Sequence, residues 1–357
     1  MNFINIQNHS HYSLLDATTR PKELAAYASA NKQEAIALTD HGNLYGACEL
    51  FKACKAEGVK PILGVEFYVS NDRFIKDSTN RFCKTLMLYA KNQEGYLNLI
   101  ELVTKSYLEG FYYVPRIDRK LLSGHTKGLI AVSGGIQSEL SQAILSENYD
   151  KTDEILEFYM TSFEDYYLQI SPPSLHPKQE FVNKRILELA REKDLKVLIG
   201  CDSHYIKPDD ASAHDVLVCI QSGRHVDEKD RPKYDGNFSL RTLEEIRVEF
   251  KDIELEPILD NLQIFVDSID FKIEFGQNLL PKYPVPDGTA PKVYLRKLCE
   301  QGLKNKYDKG DSQALERLEY ELSVIESMGF VDYFLIVYDF IDFAKKQGIM
   351  VGPGRGS

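Results

Sequence analysis

Residues 35–69 read AIALTDHGNLYGACELFKACKAEGVKPILGVEFYV, and they carry the pattern that decides the fold. A short apolar run, Ala35–Leu38, is followed by a longer segment and then by a second apolar run, Pro61–Val69. Short apolar runs are typical of buried strands, and alternation of such runs with helical patterns is typical of α/β proteins. The stretch therefore predicts a strand–helix–strand unit.

Similar units recur over the first 220 residues, about seven in all. Segments with helical spacing of apolar residues, such as Lys22–Asn31 and residues 181–190, lie between most of the strands. The fold class is therefore α/β, either a barrel or a doubly wound open sheet, and periodicity alone does not choose between them. The other predicted strands are Phe3–Ile6, Leu86–Ala90, Leu129–Val132, Tyr166–Ile170 and Val197–Ile199.

The pattern changes after about residue 223. Residues 224–260 are charged and rich in turn residues, and prolines and glycines interrupt the helical signal over Gly276–Pro291. Beyond this boundary, apolar residues at helical spacing predict helices around Leu315–Ile325 and Phe334–Ala344, followed by an apolar strand at Ile349–Val351. At roughly 150 residues per domain, the 357 residues fit about two domains.

Composition excludes several classes of protein. The chain has 43 Lys and Arg against 54 Asp and Glu, so a net charge of −11 disfavours nucleic-acid binding over the whole surface but allows a local basic groove. No apolar run approaches the 18 residues of a membrane span, and the N-terminus does not resemble a signal peptide. The six cysteines form no CxxC pair, which favours a cytoplasmic protein without a disulfide framework.

Histidine and acidic residues follow several of the predicted strands. His9 and His11 follow the first strand, Asp40 and His41 the second, and Asp202 and His204 the last, while Glu66 lies within the third. In a barrel these groups would meet at one mouth, where imidazoles and carboxylates suit Zn²⁺, Mn²⁺ or Fe for hydrolysis. The alternative for each is structural: a hydrogen-bonded histidine, or a helix N-cap for Asp40.

A glycine-rich segment, Gly352-Pro353-Gly354-Arg355-Gly356-Ser357, follows the predicted strand near residue 350. Its glycines allow backbone N–H groups to approach an anion, and the Arg355 guanidinium suits phosphate oxygens. A surface turn is the alternative, since the segment matches neither the P-loop nor the dinucleotide-binding pattern.

Four segments together carry a specific resemblance. The segments are NHSHYSLLD, ALTDHGNLYGACELFKACKAEGVKPILGVEFYV, YLEGFYYVPRID, and ELSVIESMGF with the YFLIVYDFIDFAKKQGIMVGPGRGS that follows. They resemble the N-terminal part of the bacterial DNA polymerase III alpha subunit family, the family C replicative polymerases. The resemblance spans essentially the whole chain. It implies a polymerase-and-histidinol-phosphatase (PHP) domain, a distorted (βα)7 barrel, over residues 1–270, a linker over 271–290, and the start of an α+β polymerase palm over 291–357.

The same resemblance assigns site residues. It implies a metal-ligand set with Zn²⁺ or Mn²⁺, but Gln7, Thr85 and Gly135 stand where two histidines and a cysteine are usual, so we expect a degenerate site. It implies that Gly354, Arg355, Gly356 and Ser357 contact the nucleotide triphosphate, and that the catalytic aspartates, which hold two Mg²⁺, lie beyond Ser357. The implied ligands present in this chain are His9, Asp16, His41, Glu66, Asp202 and His204.

The resemblance therefore implies a fragment of a DNA-directed DNA polymerase that is inactive in polymerisation by itself. The implied partners are primer-template DNA, deoxynucleotides, a proofreading exonuclease and a sliding clamp. Two alternatives remain open, namely a metal-dependent phosphoesterase or pyrophosphatase and a docking module for the exonuclease.

Overall fold

The structure is a computed structural model that describes residues 3–277, 279–308 and 310–354. The chain divides into two compact units, Met1–Ile273 and Glu274–Ser357. Among the described helices, none combines the length and the apolar character needed to cross a membrane.

The first unit is a curled sheet with helices packed around it, which confirms the α/β class. Its strands are β1 (Ala35–Leu38), β2 (Lys60–Val69), β3 (Lys84–Ala90), β4 (Arg116–Ile117), β5 (Leu129–Val132), β6 (Asp165–Ile170) and β7 (Val197–Ile199). Its helices are α1 (Pro21–Ala30), α2 (Ala47–Glu57), α3 (Gln93–Leu108), α4 (Arg119–Leu122), α5 (Glu139–Leu145), α6 (Tyr149–Ser162), α7 (Gln179–Lys193), α8 (Ala211–Ser222), α9 (Leu243–Glu249) and α10 (Glu256–Ser268).

The strand order decides between the two predicted sheet types. Neighbours follow the order β1-β2-β3-β5-β6-β7, with β4 paired to the end of β2. A doubly wound sheet reverses its order at the centre, whereas this sheet proceeds in chain order, as a barrel does. The barrel is distorted because β3 runs antiparallel to both of its neighbours, while β1–β2, β5–β6 and β6–β7 are parallel.

The N-terminal segment lies between the two ends of the curled sheet. The carbonyl of Asn5 accepts from Ala37 N–H at 3.1 Å on the β1 side, and the carbonyl of Gln7 accepts from Ser203 N–H at 3.1 Å beyond β7. The predicted strand Phe3–Ile6 is wrong, because the segment forms only an isolated bridge at Asn8. The Asn8 side chain donates to the carbonyls of Asn5 and Ala37, and such side-chain bonds replace a regular strand ladder.

Residues 224–260, which the sequence indicates only as charged and turn-rich, include the whole of α9 and the start of α10. Ile246 of α9 and Leu259 of α10 are buried in the main core together with the strands. Burial of these apolar faces attaches the segment to the first unit.

The second unit contains α11 (Pro291–Lys306), α12 (Ser312–Ser327) and α13 (Val331–Lys346). The predicted helices near residues 315–325 and 334–344 correspond to α12 and α13, and Leu295, Leu322 and Leu335 form the small buried core. The strand expected at Ile349–Val351 is wrong, because these residues have no strand pairing in the described part of the chain.

Candidate metal centre

One end of the curled sheet opens into a cavity of about 1170 Å³. The parallel strands end here, so residues that follow them in the chain converge on the same place. His41 follows β1 and bridges to Glu66 within β2, while Asp202 and His204 follow β7. The structure thus brings together all six ligands implied by the sequence, namely His9, Asp16, His41, Glu66, Asp202 and His204.

His9 lies at the centre of this cluster. Its Nε2 atom is 3.1 Å from Asp202 Oδ1 and 3.3 Å from Glu66 Oε2, and its ring stacks on His41 with centroids 4.2 Å apart. His204 Nε2 lies 3.4 Å from the same Asp202 oxygen. Ligand atoms of His9, Asp202 and His204, and likewise of His9, His41 and Glu66, lie within 4.8 Å of one another.

The charges of the cluster compensate one another. Burial by itself would lower the pKa of His9, but hydrogen bonds with Asp202 and Glu66 raise it to about 9. Burial would likewise lower the pKa of His204, yet the charges of Asp16 and Asp202 raise it to about 9. Protonated imidazoles therefore face the carboxylates and stabilise their ionised forms.

The carboxylates respond in the opposite direction. Burial would raise the pKa of Asp202, but the charge of His204 and the hydrogen bonds with His204 and His9 hold it well below its usual range. The pKa of Glu66 is also lowered, since its hydrogen bond with His9 and the nearby imidazole charges outweigh burial. A cluster of ionised carboxylates is the form that binds cations.

Asp16 is fixed by contacts with four side chains. Its Oδ2 atom lies 3.0 Å from His41 Nε2, and its Oδ1 atom accepts from the Tyr234 hydroxyl at 2.9 Å. Its backbone carbonyl lies 2.8 Å from His204 Nδ1 and 2.7 Å from His214 Nε2. Burial alone would raise the pKa of Asp16, but the charge of His204 and the hydrogen bond with His41 lower it.

Asp40 stabilises a neighbouring loop, which is neither the metal-binding role nor the helix-capping role considered from the sequence. Its carboxylate accepts from the backbone N–H of Ser10 at 2.6 Å and from the hydroxyls of Ser10 and Ser13 at 2.8 Å. The N-cap of α2 is Gly46, so the interpretation of Asp40 as a helix cap is wrong. Asp40 instead holds the loop that leads to Asp16. His11 packs its ring on Tyr12, at a centroid distance of 4.2 Å.

Three further residues line the same cavity without offering a strong ligand. The carboxamide nitrogen of Gln7 donates to Glu66 Oε2 at 3.0 Å, so a hydrogen-bond donor stands where the resemblance implies a metal ligand. Thr85 lies near the start of β3 and faces the mouth because that strand runs antiparallel; its buried hydroxyl has no hydrogen-bond partner in the described chain. Gly135 provides no side chain. The residues present therefore fit one cation in the His9 cluster, and they do not fit a full multinuclear set.

Sequence reasoning missed several residues of the site. Tyr234 comes from the charged segment after residue 223, and His214 lies on α8, where neither periodicity nor motif distinguishes it. Gln169 lies inside the apolar run of β6, and its carboxamide contacts Gln7 at 2.7 Å. A polar residue inside a buried strand needs a buried partner, and this signal could have identified Gln169.

The described residues include only part of the predicted nucleotide-binding segment. Gly354 is exposed, while Arg355, Gly356 and Ser357 lie outside the described residues. The contact of these four residues with a triphosphate therefore stays a prediction.

Comparison with known proteins finds two family matches along the chain and several similar sequences. Residues 5–172 match the PHP domain family, and residues 293–357 match the bacterial DNA polymerase III alpha NTPase domain. The DNA polymerase III subunit alpha of Borreliella burgdorferi is 40% identical over 361 residues, which cover 99% of this chain and 31% of the relative. The corresponding protein of Aquifex aeolicus is 36% identical over 381 residues, 99% of this chain and 32% of the relative.

Solved structures resemble the chain more distantly. An amidohydrolase from Chromobacterium violaceum is 15% identical, with a TM-score of 0.40, over 56% of this chain and 87% of that protein. The sequence relatives carry the assignment, and the chain spans about a third of their length. The chain thus contains a match to the PHP domain and a second matching domain, and over 99% of its length it is similar to bacterial DNA polymerase III alpha subunits.

Proposed function

We propose that this chain is the N-terminal part of a replicative DNA polymerase, which adds deoxynucleotides to a primer 3′-end under the direction of a template. The observation that carries the proposal is the similarity over 99% of the chain to proteins named DNA polymerase III subunit alpha. The substrates would be primer-template DNA and deoxynucleotides, with Mg²⁺ as the cofactor of the intact enzyme. A proofreading exonuclease and a sliding clamp would be its partners, and the cytoplasm its location.

The domain assignment follows the same proposal. Residues 1–270 would form the PHP domain, 271–290 a linker and 291–357 the start of the palm. The division between two compact units after Ile273 supports this assignment, as do the separate family matches over 5–172 and 293–357.

The glycine-rich segment provides a test of the proposal. In a longer protein that includes the rest of the polymerase, Arg355→Ala is expected to raise the KM for deoxynucleotides about tenfold, because a charge-assisted, two-pronged contact with phosphate is lost. Arg355→Lys keeps the charge but not the planar fork of donors, so its KM should lie between those of the parent and Arg355→Ala. Steady-state primer extension measures both variants, and an unchanged KM in Arg355→Ala would contradict the phosphate contact.

The barrel mouth has a different role in this proposal. We infer that it is a degenerate metal site that holds one ion weakly or none, because Gln7, Thr85 and Gly135 supply none of the implied ligands. The group of His9, Asp202 and His204 would hold that ion, which when bound would polarise a phosphoryl oxygen or a water.

A docking module is the second candidate function. Large aromatic side chains, including those of Tyr45 and Tyr113, are more than half exposed at the rim of the cavity. Exposed aromatic residues are enriched at protein interfaces, which supports attachment of a separate subunit such as an exonuclease at this face. A metal-dependent phosphoesterase or pyrophosphatase is less well supported, since the ligand set is incomplete.

A further inference from the structure

Gln7 occupies an unusual place for a carboxamide. It is buried, and its Nε2 atom lies 3.0 Å from Glu66 Oε2 and 3.4 Å from Asp202 Oδ1. His9 Nε2 lies 3.3 Å and 3.1 Å from the same two oxygens. Two nitrogen atoms thus bridge one pair of carboxylate oxygens. A divalent cation that held Glu66 and Asp202 together would bind these same oxygens, so it would compete with the amide.

Electrostatics determine which end of the amide faces the carboxylates. The NH₂ group donates to both oxygens, whereas the carbonyl oxygen in that place would be repelled by two ionised groups. The opposite end of the amide is also fixed, because Gln7 Oε1 accepts from Gln169 Nε2 at 2.7 Å. Gln169 Nε2 is held in turn by Ser171 Oγ at 3.2 Å.

Two glycines border this pair of amides. A Cβ atom at residue 200 would lie 2.3 Å from the carboxamide carbon of Gln169, so only glycine allows Gln169 its place. A Cβ atom at residue 135 would lie 3.8 Å from Gln169 Nε2 and 4.0 Å from Gln7 Nε2. A side chain at residue 135 would therefore extend toward the amides rather than away from the site.

We propose that the Gln7 carboxamide takes the place of one cation between Glu66 and Asp202, and that Gln169 is a positioning residue that keeps the NH₂ group of Gln7 directed at the two carboxylates. The amide holds the carboxylates together without a metal and closes that part of the site to divalent ions. This role rests on the proposal above that the mouth lacks a full metal set.

The variant Gln7→Glu tests this role in the complete chain. The substitution keeps the size of the side chain but replaces the donor with a third carboxylate, which repels Glu66 and Asp202 until a cation binds. We expect Mn²⁺, titrated by calorimetry and by electron paramagnetic resonance, to bind at least tenfold more tightly than to the parent protein. In EDTA, the melting temperature of Gln7→Glu should be lower than that of the parent protein. It should rise by several degrees when Mn²⁺ is added.

Gln137→Glu is the matched control, because Gln137 is exposed at the rim of the same cavity and gains the same charge away from the carboxylate pair. Its Mn²⁺ affinity should equal that of the parent. Gln169→Met, which releases Gln7 without adding charge, should tighten Mn²⁺ binding by less than Gln7→Glu. Adding Gln169→Met to Gln7→Glu should change the Mn²⁺ affinity little, because the amide that Gln169 positions is already absent.

The outcomes separate the two proposals. Equal Mn²⁺ affinity in folded Gln7→Glu and Gln137→Glu, or no change in Gln169→Met, would overturn the role of the amides. Tight binding of several Mn²⁺ ions by the parent protein would instead overturn the degenerate site itself.

Discussion

The chain by itself is expected to extend a primer at no measurable rate, whereas a longer protein that continues through the rest of the family's length should extend it readily. The family resemblance assigns the carboxylates that hold two Mg²⁺ to residues beyond Ser357, and in-line nucleotidyl transfer depends on both ions. A gel assay with a labelled primer, a template and a single deoxynucleotide measures the difference, which we expect to be all or none.

A variant in the barrel mouth controls for the source of this activity. Glu66→Gln in the longer protein removes a charge from the candidate metal centre and should leave the extension rate close to that of the parent. Extension by the short chain alone, or loss of extension in a folded Glu66→Gln protein, would contradict the proposal that polymerisation depends on residues outside this chain.

The largest loss of stability is expected from Arg116→Met. Arg116 is fully buried, and its guanidinium donates to the backbone carbonyls of Gly110, Ile75, Asn80 and Arg73 at 2.8–3.1 Å. Methionine preserves much of the packing of the stem but leaves buried carbonyls without donors, so the free energy of unfolding should fall by about 4 kcal/mol. Urea denaturation followed by circular dichroism measures the change.

Two comparisons make this measurement specific. Arg116→Lys keeps the charge but offers one nitrogen atom to carbonyls that lie in several directions, so an intermediate loss is expected. Arg191→Met, at an exposed position on α7, should change the free energy of unfolding by less than about 0.5 kcal/mol. A loss in Arg116→Met no larger than that of Arg191→Met would show that the carbonyl contacts contribute little.

The order of strands and helices in the first unit is largely predictable from the sequence. The strands Ala35–Leu38, Leu129–Val132 and Val197–Ile199 match the predicted bounds, because short apolar runs fully buried between helices carry a strong signal. The N-terminal strand fails because the side chain of Asn8 bonds to nearby carbonyls, which hydrophobicity does not register. Periodicity contains no information on which strands are neighbours, so it could not choose the barrel over the doubly wound sheet; only the family resemblance implied the barrel. The reversed direction of β3 followed from neither.

The candidate site is predictable only in part. His41, Asp202 and His204 follow strands, and strand ends converge in a barrel, so their meeting follows from topology. His9 instead follows a segment that forms only an isolated bridge at Asn8. The contacts that support them come from elsewhere: Tyr234 from an irregular segment, and Gln169 from inside a strand. Their roles depend on distances within the folded chain, and spacing along the sequence does not predict those distances.

Metal content and hydrolysis measured on the same preparation test the central claim most directly, namely that this chain is part of a polymerase whose barrel mouth is no longer a hydrolytic centre. After growth with added Zn²⁺ and Mn²⁺, elemental analysis of the purified chain should find well under three ions per molecule. Hydrolysis of bis(p-nitrophenyl) phosphate should be negligible and equal in the parent and in His9→Ala. Full occupancy by several ions, together with hydrolysis that His9→Ala abolishes, would contradict the account.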